Sequence, residues 1–122
     1  MRKIAKGYHG PLSIFTMDEK GPGGAYHKYE IHNDKNVPDI MVRNCICKVD
    51  MQKGPVKEAG VNGCQNEDLI AIIIDRLECF QSGGFSCYEN GEALFKLHEA
   101  LHWMNHRTAD RERRNVEGYN KK

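Results

Sequence analysis

Three arginines near the end of the chain have the spacing of an anion-binding site. Arg107, Arg111 and Arg114 lie at intervals of four and three residues, so an α-helix places them on one face. A guanidinium group binds phosphate or pyrophosphate through paired hydrogen bonds, so this face suits a small phosphorylated ligand. The alternative is a solvated helix end, in which the arginines complement the helix dipole and pair with acidic neighbours such as Asp110.

A second candidate on the same predicted helix is the segment His98–His102, which reads HEALH. In metalloproteases an H-E-x-x-H sequence binds zinc through both histidines, and its glutamate acts as the general base. Catalytic zinc needs a third protein ligand, but His106 lies about 12 Å along the helix axis from His98, and Glu117 could serve only if the chain doubled back. A small zinc hydrolase is therefore the less favoured alternative. We expect the histidines to line an exposed or inter-subunit helix face, with no catalytic residue, no metal ligand and no cofactor.

The cysteines have no spacing that is typical of a metal site. They are five in number, no C-x-x-C occurs, and the N-terminus lacks the apolar region of a secretory signal. We therefore predict reduced, buried thiols in a cytosolic protein, with no disulfide framework.

Two predicted helices have to position these groups. In the first, Asn66 is a suitable N-cap, and the apolar residues after it repeat at helical spacing around most of the girth, which predicts a largely buried helix. Gly83 and Gly84 provide its stop. The second helix opens on Asn90 as N-cap and keeps helical spacing to about Arg114. Because the connection between them is short, the two helices are predicted to be antiparallel neighbours.

The N-terminal part holds all four prolines and most of the glycines, and its patterning favours strands. Strands are predicted at Leu12–Met17, Tyr26–Ile31 and Ile40–Met51, with Val56–Val61 returning as the second arm of a hairpin. The predicted fold class is therefore α+β, an N-terminal antiparallel β-sheet followed by a C-terminal two-helix antiparallel hairpin.

Length and composition predict one domain that needs a partner subunit. We place a single domain over residues 1–122, with a β-rich part at 1–64, the helical hairpin at 65–118 and a tail at 119–122. Leu, Ile, Val and Phe together number only 25 of 122 residues, which is lean for a packed core. A net charge of +1 argues against disorder driven by charge repulsion, so an oligomer that completes the core is the expectation.

The same numbers exclude several classes of protein. With 18 basic and 17 acidic residues, the chain lacks the basic excess that duplex DNA binding requires. The longest apolar run, Leu69–Ile74, is far shorter than the roughly 20 residues of a membrane span. The predicted partners therefore include neither DNA nor a membrane.

Two blocks of sequence resemble a known family. One is Gly54–Gly63 running on through Asn66–Ile70, and the other is Leu97–Gly118, which contains the string Arg-Thr-x-x-Arg-x-x-Arg-x-Val-x-Gly. Both resemble phage Thoeris anti-defence proteins of type one, sponges that share a helical-hairpin domain with anti-CBASS sponges. The resemblance covers about residues 54–118, roughly half of the chain.

The resemblance implies a function that composition could not indicate. Such proteins bind and sequester, without degrading it, the glycocyclic ADP-ribose signal made by TIR-domain enzymes of bacterial immunity. The implied protein is a non-enzymatic homo-oligomer, a dimer or a dimer-based hexamer, in the cytoplasm of the infected bacterial host. An anti-CBASS sponge for cyclic di- or trinucleotides stays open, with Lys28 and Lys96 as candidates for a separate phosphate site, as does a protein–protein interaction module.

The resemblance also implies a ligand pocket. Phe80 would stack on adenine, Asn90 would hydrogen-bond the ligand, and Arg107 with Arg111 would clamp the pyrophosphate. Thr108 and Asp110 could reach ribose hydroxyls. The hairpin loop and the arginines lie at opposite ends of the second helix, about 25 Å apart by its rise. We therefore predict that each pocket is shared between two subunits.

Overall fold

The N-terminal half forms a four-stranded antiparallel sheet in a computed structural model that describes residues 1–7, 10–34, 44–119 and 121–122. Neighbouring strands pair in chain order, which confirms the predicted antiparallel sheet and the α+β class. The strands are β1 at Arg2–Lys6, β2 at Leu12–Thr16, β3 at Lys28–Asn33 and β4 at Cys45–Asp50.

Two strand predictions differ from the structure. Arg2–Lys6 was not predicted as a strand, yet it pairs with β2 as an exposed edge whose basic side chains are typical of protected sheet edges. Val56–Val61 was predicted as a hairpin arm, and this is wrong: Val56–Ala59 is a short helix, α1. Pro55 precedes its first turn, where its missing N–H costs nothing, and Gly60 follows in the left-handed region at φ +74°. The predicted Ile40–Met51 strand is observed from Cys45, and residues 35–43 lie outside the described residues.

The C-terminal half is a helical hairpin, as predicted. It consists of α2 at Asn66–Gln81 and α3 at Tyr88–Arg113, which pack against each other. The caps differ from the prediction. Gln65, not Asn66, caps α2, because Asp68 accepts a hydrogen bond from the backbone N–H of Gln65 at 2.8 Å and closes a capping box.

The N-cap of α3 is also earlier than predicted. Cys87 takes this position, and its Sγ accepts a hydrogen bond from the backbone N–H of Asn90 at 3.4 Å. Asn90 therefore lies inside the first turn of α3, which leaves its side-chain amide available for other contacts.

The predicted burial of α2 is wrong for the single chain. Ile74 is its one buried residue, whereas Ile72 is 65% exposed. The reason is geometric: a two-helix hairpin covers one side of each helix, so apolar residues on the remaining sides stay in contact with solvent. We call the resulting set the exposed apolar surface of the hairpin; it comprises Ile72, Ile73, Phe80, Tyr88, Phe95 and Trp103.

The residues divide into two compact units. One contains residues 1–54 and 59–64, and the other contains residues 55–58 and 65–122. The first three residues of α1 (56–58) therefore belong with the hairpin unit, in which the backbone N–H of Lys57 donates to the carbonyl of Gly118 at 3.0 Å. In the described part of the chain, each helix is either too short or too polar to cross a membrane.

Candidate functional site

The arginine-bearing end of α3 stops in a Schellman motif. The N–H of Val116 donates to the carbonyl of Arg111, and the N–H of Asn115 donates to that of Glu112, each at 3.0 Å. Asn115 adopts a left-handed conformation at φ +57°, one that asparagine tolerates better than most residues. The chain consequently reverses after α3, and the C-terminal segment runs back beside the helix.

Arg111 is the buried centre of this reversal. Its Nε donates to the Glu117 carboxylate at 2.8 Å, and its Nη2 donates to the carbonyls of Val116 and Tyr119 at 2.9 and 3.0 Å. Its Nη1 donates to the carbonyl of Lys121. The side chain keeps one of its five N–H donors, on Nη1, for a further partner. With 7% of its surface exposed, Arg111 holds the C-terminal segment in place.

Arg107 differs sharply from Arg111 although it lies one turn away on the same helix. It is exposed, and among the described residues no hydrogen bond or ion pair engages its guanidinium. Of the two arginines in the predicted pyrophosphate clamp, Arg107 is therefore the more accessible to an anion.

The remaining predicted residues at this end are already engaged within the helix. Asp110 pairs through Oδ1 with Arg113 at 3.3 Å and through Oδ2 with Arg114 at 3.1 Å, as the i,i+4 spacing predicts. Thr108 donates its hydroxyl to the carbonyl of Met104 at 3.3 Å, the usual back-bond of a helical threonine. Both side chains retain lone pairs that a ligand hydroxyl could use.

Phe80 and Asn90 lie at the opposite end of the hairpin. Phe80 lies in the last turn of α2 and is 37% exposed, and the Arg76 guanidinium lies over its ring at 5.1 Å from the centroid. The loop is held by Gln81, whose amide donates to the carbonyl of Cys87 and accepts from its N–H, both at 2.9 Å. This two-point contact fixes the start of α3, and with it Asn90.

One chain thus presents the predicted site in two parts. Because α3 runs without interruption from Tyr88 to Arg113, about 25 Å of helix separates Asn90 from Arg107. Arg107, Thr108, Asp110 and Arg111 come together at one end, and Phe80 and Asn90 at the other.

The two histidines and the glutamate of the HEALH segment are exposed along α3. His98 reaches across to α2, where its Nε2 lies 3.4 Å from Oε1 of Glu78. His102 and His106 both contact the Trp103 ring edge-on, at centroid distances of 5.5 and 5.7 Å. These contacts match the expectation of an exposed histidine face.

A group of potential metal ligands escaped sequence analysis. Glu30 and His32 on β3 and Cys45 on β4 bring their ligand atoms within 4.8 Å of one another. The hydrogen bond from His32 lowers the pKa of Glu30, with Cys45 and Lys48 acting in the same direction and partial burial opposing them. Burial raises the pKa of the Cys45 thiol, and its hydrogen bond to Glu30 adds to the rise. Glu30 and Cys45 lie far apart in the sequence, so no short spacing motif indicated that they meet.

The cysteines as a group are less buried than predicted. All five are free thiols, and none is fully buried. Cys47 on β4, Cys79 in the last turn of α2 and Cys87 at the N-cap of α3 are exposed.

Comparison with known proteins relates the chain to phage proteins. Residues 44–109, more than half of the chain, match the family described as Acb2/Tad1, hairpin domain. A relative from Bacillus phage SBSphiJ7 named Thoeris anti-defense 1 is 54% identical over 90 residues, which are 74% of this chain and 63% of the relative. The chain thus spans less than two thirds of that relative's length. From these matches and the hairpin geometry, the chain belongs to the Acb2/Tad1 hairpin-domain family of phage proteins.

Proposed function

We propose that the protein is a phage anti-defence sponge. It binds the glycocyclic ADP-ribose signal of TIR-based (Thoeris) bacterial immunity in the host cytoplasm and sequesters it chemically intact. The observation that carries the proposal is the 54% identity to Thoeris anti-defense 1 over 90 residues. Arg107 supports it, because its guanidinium is exposed and is engaged by no residue that the structure describes, and a dianionic pyrophosphate needs such an accessible guanidinium.

The proposed pocket contains Phe80, Asn90, Arg107, Thr108, Asp110 and Arg111. Phe80 stacks on the adenine, and the amide of Asn90 hydrogen-bonds the ligand. Arg107 and the remaining N–H of Arg111 hold the pyrophosphate, while Thr108 and Asp110 accept from ribose hydroxyls. Each polar role uses a donor or a lone pair that internal contacts leave available.

The pocket is completed by a second copy of the chain. The helix length keeps Phe80 and Arg107 apart within one chain, and the exposed apolar surface of the hairpin gives a second hairpin a face to cover. An antiparallel arrangement of two hairpins brings the loop of one copy to the arginines of the other. The protein is therefore a homo-oligomer built from such dimers.

Ligand binding is tested by native mass spectrometry and calorimetry with glycocyclic ADP-ribose, followed by heat denaturation and chromatography of the released ligand. The proposal expects stoichiometric binding and recovery of unchanged ligand. Recovered hydrolysis products would show that the protein is an enzyme and not a sponge. Zinc that is present in the wild type and absent from His98→Ala would then place the active site of that enzyme in the HEALH segment. Binding of cyclic di- or trinucleotides in place of the ADP-ribose ligand would favour the anti-CBASS alternative, and no binding of either would favour a protein–protein module.

The shared pocket is tested by mixing two variants that each bind the ligand more weakly than the wild type. Phe80→Ala and Arg107→Ala chains, carrying different tags, are purified as mixed dimers. If pockets form between copies, one pocket of each mixed dimer has both wild-type residues and regains wild-type affinity. If each pocket lies within one chain, every pocket carries a substitution and the mixture binds no better than either variant.

A further inference from the structure

The sheet holds a cluster of three side chains that the proposed sponge function does not use. Glu30 and His32 are alternate residues of β3 and so project from the same face. Cys45 of β4 pairs with His32, at a register shift between Ile31 and His32. Such irregularities re-aim side chains and are frequent beside binding sites.

The atoms of the cluster already converge. Nε2 of His32 lies 2.8 Å from Oε1 of Glu30, and all three ligand atoms fall within 4.8 Å of one another. Ligands that share a tetrahedral zinc at bond lengths of about 2.0–2.3 Å stand about 3.5 Å apart. Small side-chain adjustments within one face of the sheet therefore suffice to place a metal between them.

The surroundings orient the histidine and keep an opening. His32 is 3% exposed, and the Phe15 ring packs against its ring at a centroid distance of 4.9 Å. The Glu30 side chain is partly exposed, which provides a path for an ion. Lys48 pairs with Glu30 across the sheet, but it is exposed and its long side chain can turn to water when a cation arrives.

We propose that Glu30, His32 and Cys45 form a zinc-binding site that links β3 to β4. One imidazole nitrogen, one thiolate and one carboxylate oxygen are the three ligand types that zinc takes in proteins, and water fills the fourth position. On binding, the thiol gives its proton to solvent, and the sulfur donates its electron pair to the metal. The site lies in the sheet unit and uses none of the residues proposed for the ligand pocket.

The test uses the full, reduced chain with Co²⁺ as a spectroscopic probe and Zn²⁺ for stoichiometry. To separate the site from the HEALH histidines, all proteins carry His98→Ala and His102→Ala. We expect one Co²⁺ per chain, with a near-ultraviolet sulfur-to-cobalt charge-transfer band, one proton released and a higher Tm with Zn²⁺. Cys45→Ser abolishes the band, whereas the matched control Cys47→Ser, an exposed cysteine two residues away, retains it.

A second variant guards against a folding defect. Glu30→Gln preserves the shape of the side chain and a hydrogen-bond acceptor for His32, and we expect it to fold with the wild-type circular dichroism spectrum and bind Zn²⁺ at least tenfold more weakly. Absence of stoichiometric binding to the parent protein overturns the proposal. So does a band that Cys45→Ser and Cys47→Ser change equally, because the cobalt would then lie on exposed thiols.

Discussion

Arg111 donates a hydrogen bond from its Nε to the Glu117 carboxylate at 2.8 Å, six residues further along the chain. The same guanidinium donates to three carbonyls of the C-terminal segment, at Val116, Tyr119 and Lys121. Arg111, which is proposed to hold the pyrophosphate, is therefore also the anchor of that segment. A substitution of Arg111 therefore affects both ligand binding and the anchoring of the segment. A substitution of a neighbouring arginine is needed to tell the two effects apart.

Arg111→Ala is expected to lower the free energy of unfolding by about 2 kcal/mol, because it leaves three carbonyls and one carboxylate without their donor. Urea denaturation measures this change. Proteolysis should in addition release the C-terminal segment faster than in the wild type. An unfolding curve that coincides with that of the wild type would show that Arg111 does not anchor the segment.

Arg107→Ala is the matched substitution one turn earlier on α3. Because Arg107 is exposed and engages no described residue, its loss should change the free energy of unfolding by less than about 0.5 kcal/mol. Calorimetry with glycocyclic ADP-ribose should nevertheless show an affinity at least tenfold weaker, since a charge-assisted hydrogen bond contributes about 1.5–3 kcal/mol. Unchanged affinity would remove Arg107 from the pocket.

Phe80 is proposed to stack on the adenine, and a phenylalanine in the adjacent loop provides its control. Stacking of a base on an aromatic ring contributes about 1–3 kcal/mol, so Phe80→Ala should weaken binding by about 5- to 150-fold. Phe85→Ala removes a ring that is 80% exposed and should leave affinity within twofold. Equal losses in the two variants would indicate a general effect of the loop and not a stacking contact.

The hairpin and its arginine face could be predicted because both depend on local spacing. Apolar periodicity, the Gly83-Gly84 stop and the intervals between Arg107, Arg111 and Arg114 are all properties of neighbouring residues. The burial of Arg111 could not be predicted in the same way. It depends on a chain reversal at Asn115 that brings later carbonyls back to the guanidinium.

Two other differences between the sequence-based predictions and the structure also have physical causes. The cluster at His32 exists because a register shift sets Cys45 opposite it, and such irregularities leave no periodic signal in the sequence. The apolar periodicity of α2 predicted a largely buried helix, whereas most of its apolar residues are exposed or half-buried in the single chain. Periodicity reports that a face is apolar and does not report what covers it.

Acid should destabilise the sheet unit through Asp18. Partial burial of this carboxylate would raise its pKa, but hydrogen bonds from the backbone N–H groups of Lys28 and His27 outweigh burial and lower it. A carboxyl whose folded pKa lies below its unfolded value of about 3.9 adds stability above that value, and loses it as the pH falls through the folded pKa. The contribution is therefore fully present near neutral pH.

Asp18→Asn tests this assignment. Urea denaturation should show a loss of about 1 kcal/mol at pH 7, where the wild-type carboxylate is charged, and a smaller loss at pH 3. Glu19→Gln, at the exposed neighbouring position, should change stability little at either pH. A loss from Asp18→Asn that is the same at both pH values would show that charge does not contribute.

The exposed apolar surface of the hairpin should hold the oligomer together. Trp103 is 61% exposed, so Trp103→Glu costs the single chain little but places a charge in an apolar interface, which is expensive without a partner. Light scattering should report a mass near the 13.9 kDa of one chain for this variant and a multiple of it for the wild type. Asn105→Glu, about 200° further around the same helix, is the control and should keep the wild-type mass.

If the pocket is shared, Trp103→Glu must also lose ligand binding while its circular dichroism spectrum stays helical. A monomer that still binds with wild-type affinity would place the whole pocket within one chain.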